Sequence, residues 1–117
     1  MAQKILLIDD EINFLKSIAI GLKKYGLSVV TATNGNDGFA KFKNDEFDLV
    51  ICDINLPDTT GWEVATKIFH EYPHTNLIFI TAAPTGKQRK HFKHHPILQK
   101  PFMLEELLNL IYMKNIQ

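Results

Sequence analysis

Five short runs rich in β-branched residues, separated by longer segments, limit the folds open to this chain. They have the length of strands and are Ile5–Ile8, Ser28–Thr33, Leu49–Cys52, Leu77–Thr81 and the very short Ile97–Leu98. Most are nearly continuous in apolar residues, which is typical of strands covered on both faces. Parallel neighbours need long crossover connections. The pattern therefore predicts an α/β domain with a parallel sheet.

The segments between these runs carry apolar residues at helical spacing. Thr60 and Glu63 have the spacing of a capping box for a helix that begins at Gly61, and a shorter helix is predicted over residues 36–44. Three stripes follow the i, i+3, i+4, i+7 pattern: Leu15, Ile18, Ala19 and Leu22; Ala65, Ile68, Phe69 and Tyr72; and Leu104, Leu107, Leu108 and Ile111.

Length and charge exclude several classes of function. The 117 residues are enough for one domain with its own core. Thirteen basic and thirteen acidic side chains cancel, and no apolar run approaches the roughly 20 residues of a membrane span, so neither nucleic acid nor a membrane is predicted as a direct partner. The single cysteine, Cys52, permits no internal disulfide, which favours a cytoplasmic protein, and we interpret it as a small buried hydrophobe.

Polar side chains stand at the ends of four of the five predicted strands. Asp9 and Asp10 follow the first, Asp53 follows the third, Thr81 ends the fourth and Lys100 comes after the fifth. The carboxyl ends of parallel strands meet at one edge, where ligands bind. Three carboxylates repel one another unless they bind a cation or some protonate, and oxygen ligands favour Mg²⁺. We therefore expect a magnesium site where Asp53 accepts a phosphoryl group, with the lysine and the hydroxyl as partners of that group.

In this order the motifs resemble the receiver domain of two-component response regulators, over essentially the whole chain. The resemblance rests on LLIDDE (6–11), DINLPDTTG (53–61), ITA (80–82) and QKPF (99–102). It implies a flavodoxin-like, doubly wound, five-stranded parallel sheet of order 2-1-3-4-5. It also implies a single receiver domain over residues 1–117, which is not an enzyme beyond catalysing its own phosphorylation and dephosphorylation.

The same resemblance assigns roles at the acidic edge. Asp53 would accept the phosphoryl group, and Lys100 would contact the phosphoryl oxygens. Asp9, Asp10 and Asp53 would hold Mg²⁺ together with the backbone carbonyl of Asn55. A cis bond before Pro101 would aim the lysine at this pocket.

Signal transmission departs from the family pattern. Thr81 would be the switch hydroxyl that moves toward the phosphate, and Ala82 the small residue that leaves room for it. Three residues before the lysine the family commonly has Tyr or Phe, whose rotamer follows the phosphorylation state, whereas this chain has Ile97. An aliphatic side chain cannot make the same swing. The stretch from 81 to 100 is also shorter than is usual in the family.

A basic run precedes the fifth predicted strand. The stretch between Ala83 and Pro96, which holds this run, contains only one large apolar side chain, Phe92. We therefore expect any helix there to be short, loosely packed or mobile. A nucleic-acid patch and a metal pair formed by His91 and His95 are alternatives, but we favour a solvated face that docks an acidic protein surface. The run comprises Lys87, Arg89, Lys90, His91, Lys93, His94 and His95.

The sequence thus predicts a switch that a sensor histidine kinase or phosphotransfer protein phosphorylates. We expect no effector domain after the last helix, and therefore output to an unknown protein target through residues 83–113, unless the chain is cut from a longer regulator. One alternative is a pseudo-receiver that binds a protein without being phosphorylated. A hydrolase of the haloacid-dehalogenase type is another, but that family has a second acid where this chain has Asn55.

Overall fold

The computed structural model describes residues 3–83 and 92–116, which form one parallel sheet with helices on both faces. Within these ranges the strands are β1 (Lys4–Ile8), β2 (Ser28–Ala32), β3 (Leu49–Asp53), β4 (Leu77–Thr81) and β5 (Ile97–Gln99). The helices are α1 (Ile12–Lys24), α2 (Gly35–Lys43), α3 (Gly61–Glu71) and α4 (Leu104–Ile116). All strands pair in parallel in the order β2-β1-β3-β4-β5. The predicted fold class and strand order are confirmed.

Side chains alternate between the two faces of the sheet, and each face has its own core. Strand residues such as Leu6, Val50 and Phe79 pack with α2 and α3 on one face. Their neighbours, such as Leu7 and Ile51, pack with α1 and α4 on the other. β1, β3 and β4 are therefore buried on both sides, which explains their nearly continuous apolar sequences.

Helix α3 begins where the capping box predicts. The Thr60 hydroxyl accepts a hydrogen bond from the N–H of Glu63 at 3.2 Å. The N–H of Gly61 donates to the carbonyl of Ile54 at 2.7 Å. A Cβ atom at Gly61 would lie 2.5 Å from the backbone oxygen of Asp53, so only glycine permits the helix to start this close to β3.

Phe92 docks the segment that leads into β5. Its side chain is 4% exposed, and its ring centre lies 5.6 Å from that of Trp62 and 5.5 Å from that of Phe79. Residues 84–91, for which we expected loose packing or mobility, lie outside the described part of the chain. Phe92 itself is well packed, because one large ring inserted among aromatic neighbours takes the place of an apolar stripe.

Among the described helices, none combines the length and apolar character needed to cross a membrane.

Candidate functional site

The strand pairing brings the predicted site residues to one edge of the sheet. β1 and β3 are in register to the last residue of β1, so Asp9 stands beside Asp53. β4 and β5 are in register through Thr81. Lys100 directly follows the last residue of β5, and its backbone N–H donates to the carbonyl of Thr81 at 2.8 Å. Four side chains that are far apart in sequence therefore share one edge because of strand order.

Three carboxylates cluster at this edge. Oxygen atoms of Asp9, Asp10 and Asp53 all lie within 4.8 Å of one another. Asp9 is fully buried, Asp53 is 4% exposed and Asp10 is exposed. Burial raises the pKa of Asp9, because the charged form loses water, although hydrogen bonds from Lys100 and from the Glu11 N–H act in the opposite direction.

The ammonium group of Lys100 lies inside this cluster. Its Nζ is 2.7 Å from Oδ2 of Asp9, 2.8 Å from Oε1 of Glu11 and 3.1 Å from Oδ2 of Asp53. It also lies 4.3 Å from the ring centre of Phe14. Burial disfavours the charged amine, but the pairing with carboxylates outweighs it and raises the pKa of Lys100. The paired carboxylates therefore favour the charged form of Lys100 at this site.

Asp53 is held by a different group at each oxygen. Oδ1 accepts a hydrogen bond from the backbone N–H of Asn55 at 3.0 Å, and Oδ2 faces Lys100. Asp9 is oriented in the same way by the N–H of Glu11 at 2.9 Å. The backbone after each strand thus fixes the direction of the carboxylate that ends it.

The donor set fits a divalent cation. All three side chains offer carboxylate oxygen, the ligand type that Mg²⁺ and similar hard ions take, and one of them is open to solvent. The backbone carbonyl of Asn55 remains a predicted fourth ligand.

The three predicted switch residues occupy two different places. Thr81 is buried, and its hydroxyl accepts a hydrogen bond from the N–H of Ala83 at 3.2 Å. Ala82 is exposed and lines an open groove beside Lys100. Ile97 pairs with Phe79 at the start of β5 and packs against the core on the α2 and α3 face. It therefore lies away from the acidic edge.

Sequence reasoning missed two neighbours of Lys100. Glu11 belongs to the first motif, but we gave it no role, and Phe14 sits on the first turn of α1. Their contacts with Lys100 depend on the direction in which α1 leaves β1. They also depend on β5 bringing Lys100, which is 89 residues after Glu11, to the start of α1. The adjacency of Glu11 to Asp9 and Asp10 was the only local signal.

Cys52 is buried, in agreement with its interpretation as a small buried hydrophobe. It is fully buried, and burial raises the pKa of its thiol well above the ordinary range, so it stays protonated.

Most of the basic run falls outside the described residues. Lys87, Arg89, Lys90 and His91 lie there, so the alternative of a metal pair formed by His91 and His95 falls partly outside the described residues. Lys93 and His94 are exposed, whereas His95 stacks on Phe69 with ring centres 5.1 Å apart.

Comparison with known proteins gives concordant results. A family model described as the response regulator receiver domain matches residues 5–112. The probable transcriptional regulatory protein SilR of Salmonella typhimurium is 33% identical over 108 residues, which cover 90% of this chain and 47% of that protein. The chain thus spans about half the length of this relative.

Solved structures agree with the sequence match. A CheY-like response regulator receiver domain protein from Methanospirillum hungatei JF-1 has a TM-score of 0.91 and 28% identity, covering 97% of this chain and 94% of that one. The response regulator TrrA of Thermotoga maritima, in complex with Mg²⁺ and BeF, has a TM-score of 0.82 and 28% identity, covering 96% and 98%.

Proposed function

The chain belongs to the response regulator receiver domain family, and on this premise we propose that it is a signalling switch that accepts a phosphoryl group on Asp53. The observation that carries the proposal is the environment of that carboxylate. It is almost fully buried, it receives the N–H of Asn55 and the ammonium of Lys100, and it lies beside Asp9 and Asp10.

In the proposed transfer, a carboxylate oxygen of Asp53 attacks the phosphorus of the donor. An O–P bond forms, the bond from phosphorus to the donor nitrogen or oxygen breaks, and its electron pair leaves with the donor. Lys100 keeps its charge and can move from the carboxylates to the transferred oxygens. Attack by water on the same phosphorus later releases inorganic phosphate and restores the carboxylate.

Asp9, Asp10 and Asp53 would hold a divalent cation, with Mg²⁺ as our assignment. Such an ion supplies positive charge against the phosphoryl oxygens. The backbone N–H of Asn55 and the ammonium of Lys100 keep the acceptor oriented, and its burial excludes bulk water from one side. Asp9 is fully buried, whereas Asp10 is exposed, so the cation would reach the cluster from the side of Asp10.

Transmission would begin at Thr81. Its hydroxyl lies at the same edge of the sheet as Asp53 and would turn to donate to a phosphoryl oxygen, with the small Ala82 leaving room for the movement. Because Ile97 is an aliphatic residue in the core on one face of the sheet, we do not assign it the in–out movement of an aromatic ring.

We propose that a sensor histidine kinase or a phosphotransfer protein is the phosphoryl donor. The output surface would lie within residues 83–113, of which 84–91 are outside the described structure. Residues 1–117 would act as one receiver domain, whose only catalysis is its own phosphorylation and dephosphorylation.

Phosphodonor labelling tests the proposal. With Mg²⁺ and acetyl phosphate, intact mass should show one added phosphoryl group, and Asp53→Asn should abolish it with little change in volume or stability. Asp37→Asn, which alters a partly exposed acid on α2, is the control and should label normally. Undiminished labelling of Asp53→Asn would refute the assignment. A wild-type chain that binds Mg²⁺ and never labels would favour the pseudo-receiver.

A further inference from the structure

A second site lies at the edge of the sheet opposite Asp53. An open cavity of about 340 Å³ lies next to the residues that precede β3 and β4. We call it the aromatic–acidic hollow, and it is lined by Phe42, Asp45, Glu46, Phe47, Asp48, Tyr72 and Thr75. Since β3 runs from this edge to Asp53, the hollow is roughly 15 Å from the phosphoryl acceptor along the strand.

Three aromatic rings form the wall of the hollow. Phe47 stacks on Phe42 with ring centres 6.4 Å apart and an angle of 17° between the planes. Tyr72 meets Phe42 edge-on at 5.5 Å and is itself 56% exposed. Phe42 is buried and anchors the other two, whose rings remain partly open to solvent. The faces of such rings carry negative potential and attract cations.

Carboxylates surround these rings. Asp45, Glu46 and Asp48 are all exposed at the rim, and none of the described residues that line the hollow is basic. A neighbouring depression of about 330 Å³ shares Phe47 and Tyr72 and adds a further acid from the end of α3. The overall charge of the chain is zero, so this local excess of negative charge is a property of the site.

The chain's own Lys4 shows that the margin of the hollow stabilises a cation. Its ammonium pairs with Asp45 and lies 5.7 Å from the ring centre of Phe47. The hydrogen bond from Lys4 holds the pKa of Asp45 below its ordinary value. One carboxylate and one ring are thus already used by an internal ammonium, while Glu46 and Tyr72 are exposed.

We propose that the aromatic–acidic hollow binds an arginine side chain, presented beside an apolar residue by a partner protein. A guanidinium group is planar, stacks on aromatic faces and donates to carboxylates as a fork, so it matches this combination better than an ammonium does. Arginine and aromatic side chains are also enriched among the residues that dominate binding energy in interfaces. The volume of about 340 Å³ lies near the lower end of the range for ligand pockets, which is large enough for one side chain.

A pair of short peptides tests the charge requirement. The probe is acetyl-Leu-Arg-Leu-amide, and its match is the same peptide with neutral citrulline in place of arginine. We expect the arginine peptide to shift the backbone amide signals of Phe47, Tyr72 and Thr75 in NMR titrations, and the citrulline peptide to leave them in place. Equal binding of the two peptides, no shift at millimolar peptide, or shifts spread over other surfaces would overturn the proposal. Equal binding by a lysine peptide would overturn the preference for a guanidinium group.

Variants separate the rings from the charges. Tyr72→Ala, and the double change Asp45→Asn with Glu46→Gln, should each weaken binding by about threefold to tenfold. The matched controls on α4 are Tyr112→Ala, which removes another partly exposed tyrosine, and Glu105→Gln; both should bind like the parent. Unaltered affinity in the hollow variants, or equal losses in the controls, would refute the site.

Lys4→Gln gives the sharpest result, because the expected change is a gain. Removing the internal ammonium frees Asp45 and the ring of Phe47, so the arginine peptide should bind more tightly. Weaker binding would contradict the proposal. Asp53→Asn should leave the affinity unchanged, so a failure here is distinguishable from a failure of the phosphorylation assignment.

Discussion

Lys100 balances the charge of two carboxylates at the end of the sheet and of a third at the start of α1. Its ammonium pairs with Asp9, Glu11 and Asp53, and its side chain is only 8% exposed. A buried ion pair adds little net stability over an apolar substitute, but removal of one partner leaves the other buried without compensation. The stability of the metal-free protein should therefore depend strongly on this one residue.

We expect Lys100→Met to lower the free energy of unfolding by about 3 kcal/mol in EDTA, because Asp9 and Asp53 keep their burial and lose their counter-charge. Added Mg²⁺ should restore part of the loss. Urea denaturation with and without Mg²⁺ measures both effects. Lys93→Met, at an exposed lysine, is the control and should change stability by less than about 0.5 kcal/mol. A Lys100→Met protein as stable as the parent in EDTA would show that the pairing has no such role.

At the level of elements, Asp58 joins the loop after β3 to the start of α2. Its two carboxylate oxygens accept the N–H groups of Gly35 and Asn36, both at 2.8 Å. A carboxylate at a helix N-terminus also interacts favourably with the helix dipole. The hydrogen bonds, that from Gly35 foremost, hold the pKa of Asp58 below its ordinary value.

Because its folded pKa is lowered, Asp58 stabilises the protein above the unfolded pKa and loses that effect as the pH falls through the folded pKa. Asp58→Ala should cost about 1 kcal/mol at pH 7, a modest value since the residue is exposed. The difference from the parent should shrink as the pH falls below about 4. Asp58→Asn, which keeps one acceptor oxygen, should lose less. Urea titrations across pH measure this, and a pH-independent difference would contradict the linkage.

Gly61 couples α3 to the acceptor strand. A methyl group there would meet the backbone of Asp53 and Ile54 at 2.5 Å and 2.9 Å, so the helix or the strand end must shift. Gly61→Ala should lower stability by about 1–3 kcal/mol and slow labelling of Asp53. The matched control is Gly26→Ala: this glycine has φ 83° and nothing near its Cβ position, so the change costs stability through backbone conformation alone. Acetyl phosphate labelling followed by mass spectrometry distinguishes the two variants, because only Gly61→Ala should label more slowly. Normal labelling of Gly61→Ala would refute the coupling.

At the scale of the whole molecule, the parts predicted from sequence are those that depend on local pattern. Apolar periodicity predicts the helices and strands to within a few residues. The strand order and the cis bond between Lys100 and Pro101, which the structure has, are implied by the resemblance to receiver domains and not by periodicity or spacing. The meeting of the acids with Lys100 followed from strand ends sharing one edge.

The parts that were missed depend on distant approaches. The anchoring of Phe92 requires rings from α3 and β4, and the use of Asp58 requires the start of α2, 22 residues earlier in the chain. The aromatic–acidic hollow combines the end of α2, the following loop and the end of α3. The spacing of residues within one segment does not predict which side chains of distant segments come into contact.

The position of Lys100 directly after the edge strand β5 has a consequence for how the protein is made. Asp9, Asp10 and Asp53 precede it in the sequence, and 47 residues separate Asp53 from the lysine. During synthesis, and in any folding order in which β1 and β3 pair before β5 docks, the acids meet without their internal cation. We expect Mg²⁺ to accelerate refolding in stopped-flow experiments, and Asp10→Ala to refold faster and respond less. A refolding rate that changes neither with Mg²⁺ nor with Asp10→Ala would show that β5 docks first. Until its last strand arrives, the nascent chain would depend on ions from its surroundings for a charge balance that it later supplies itself.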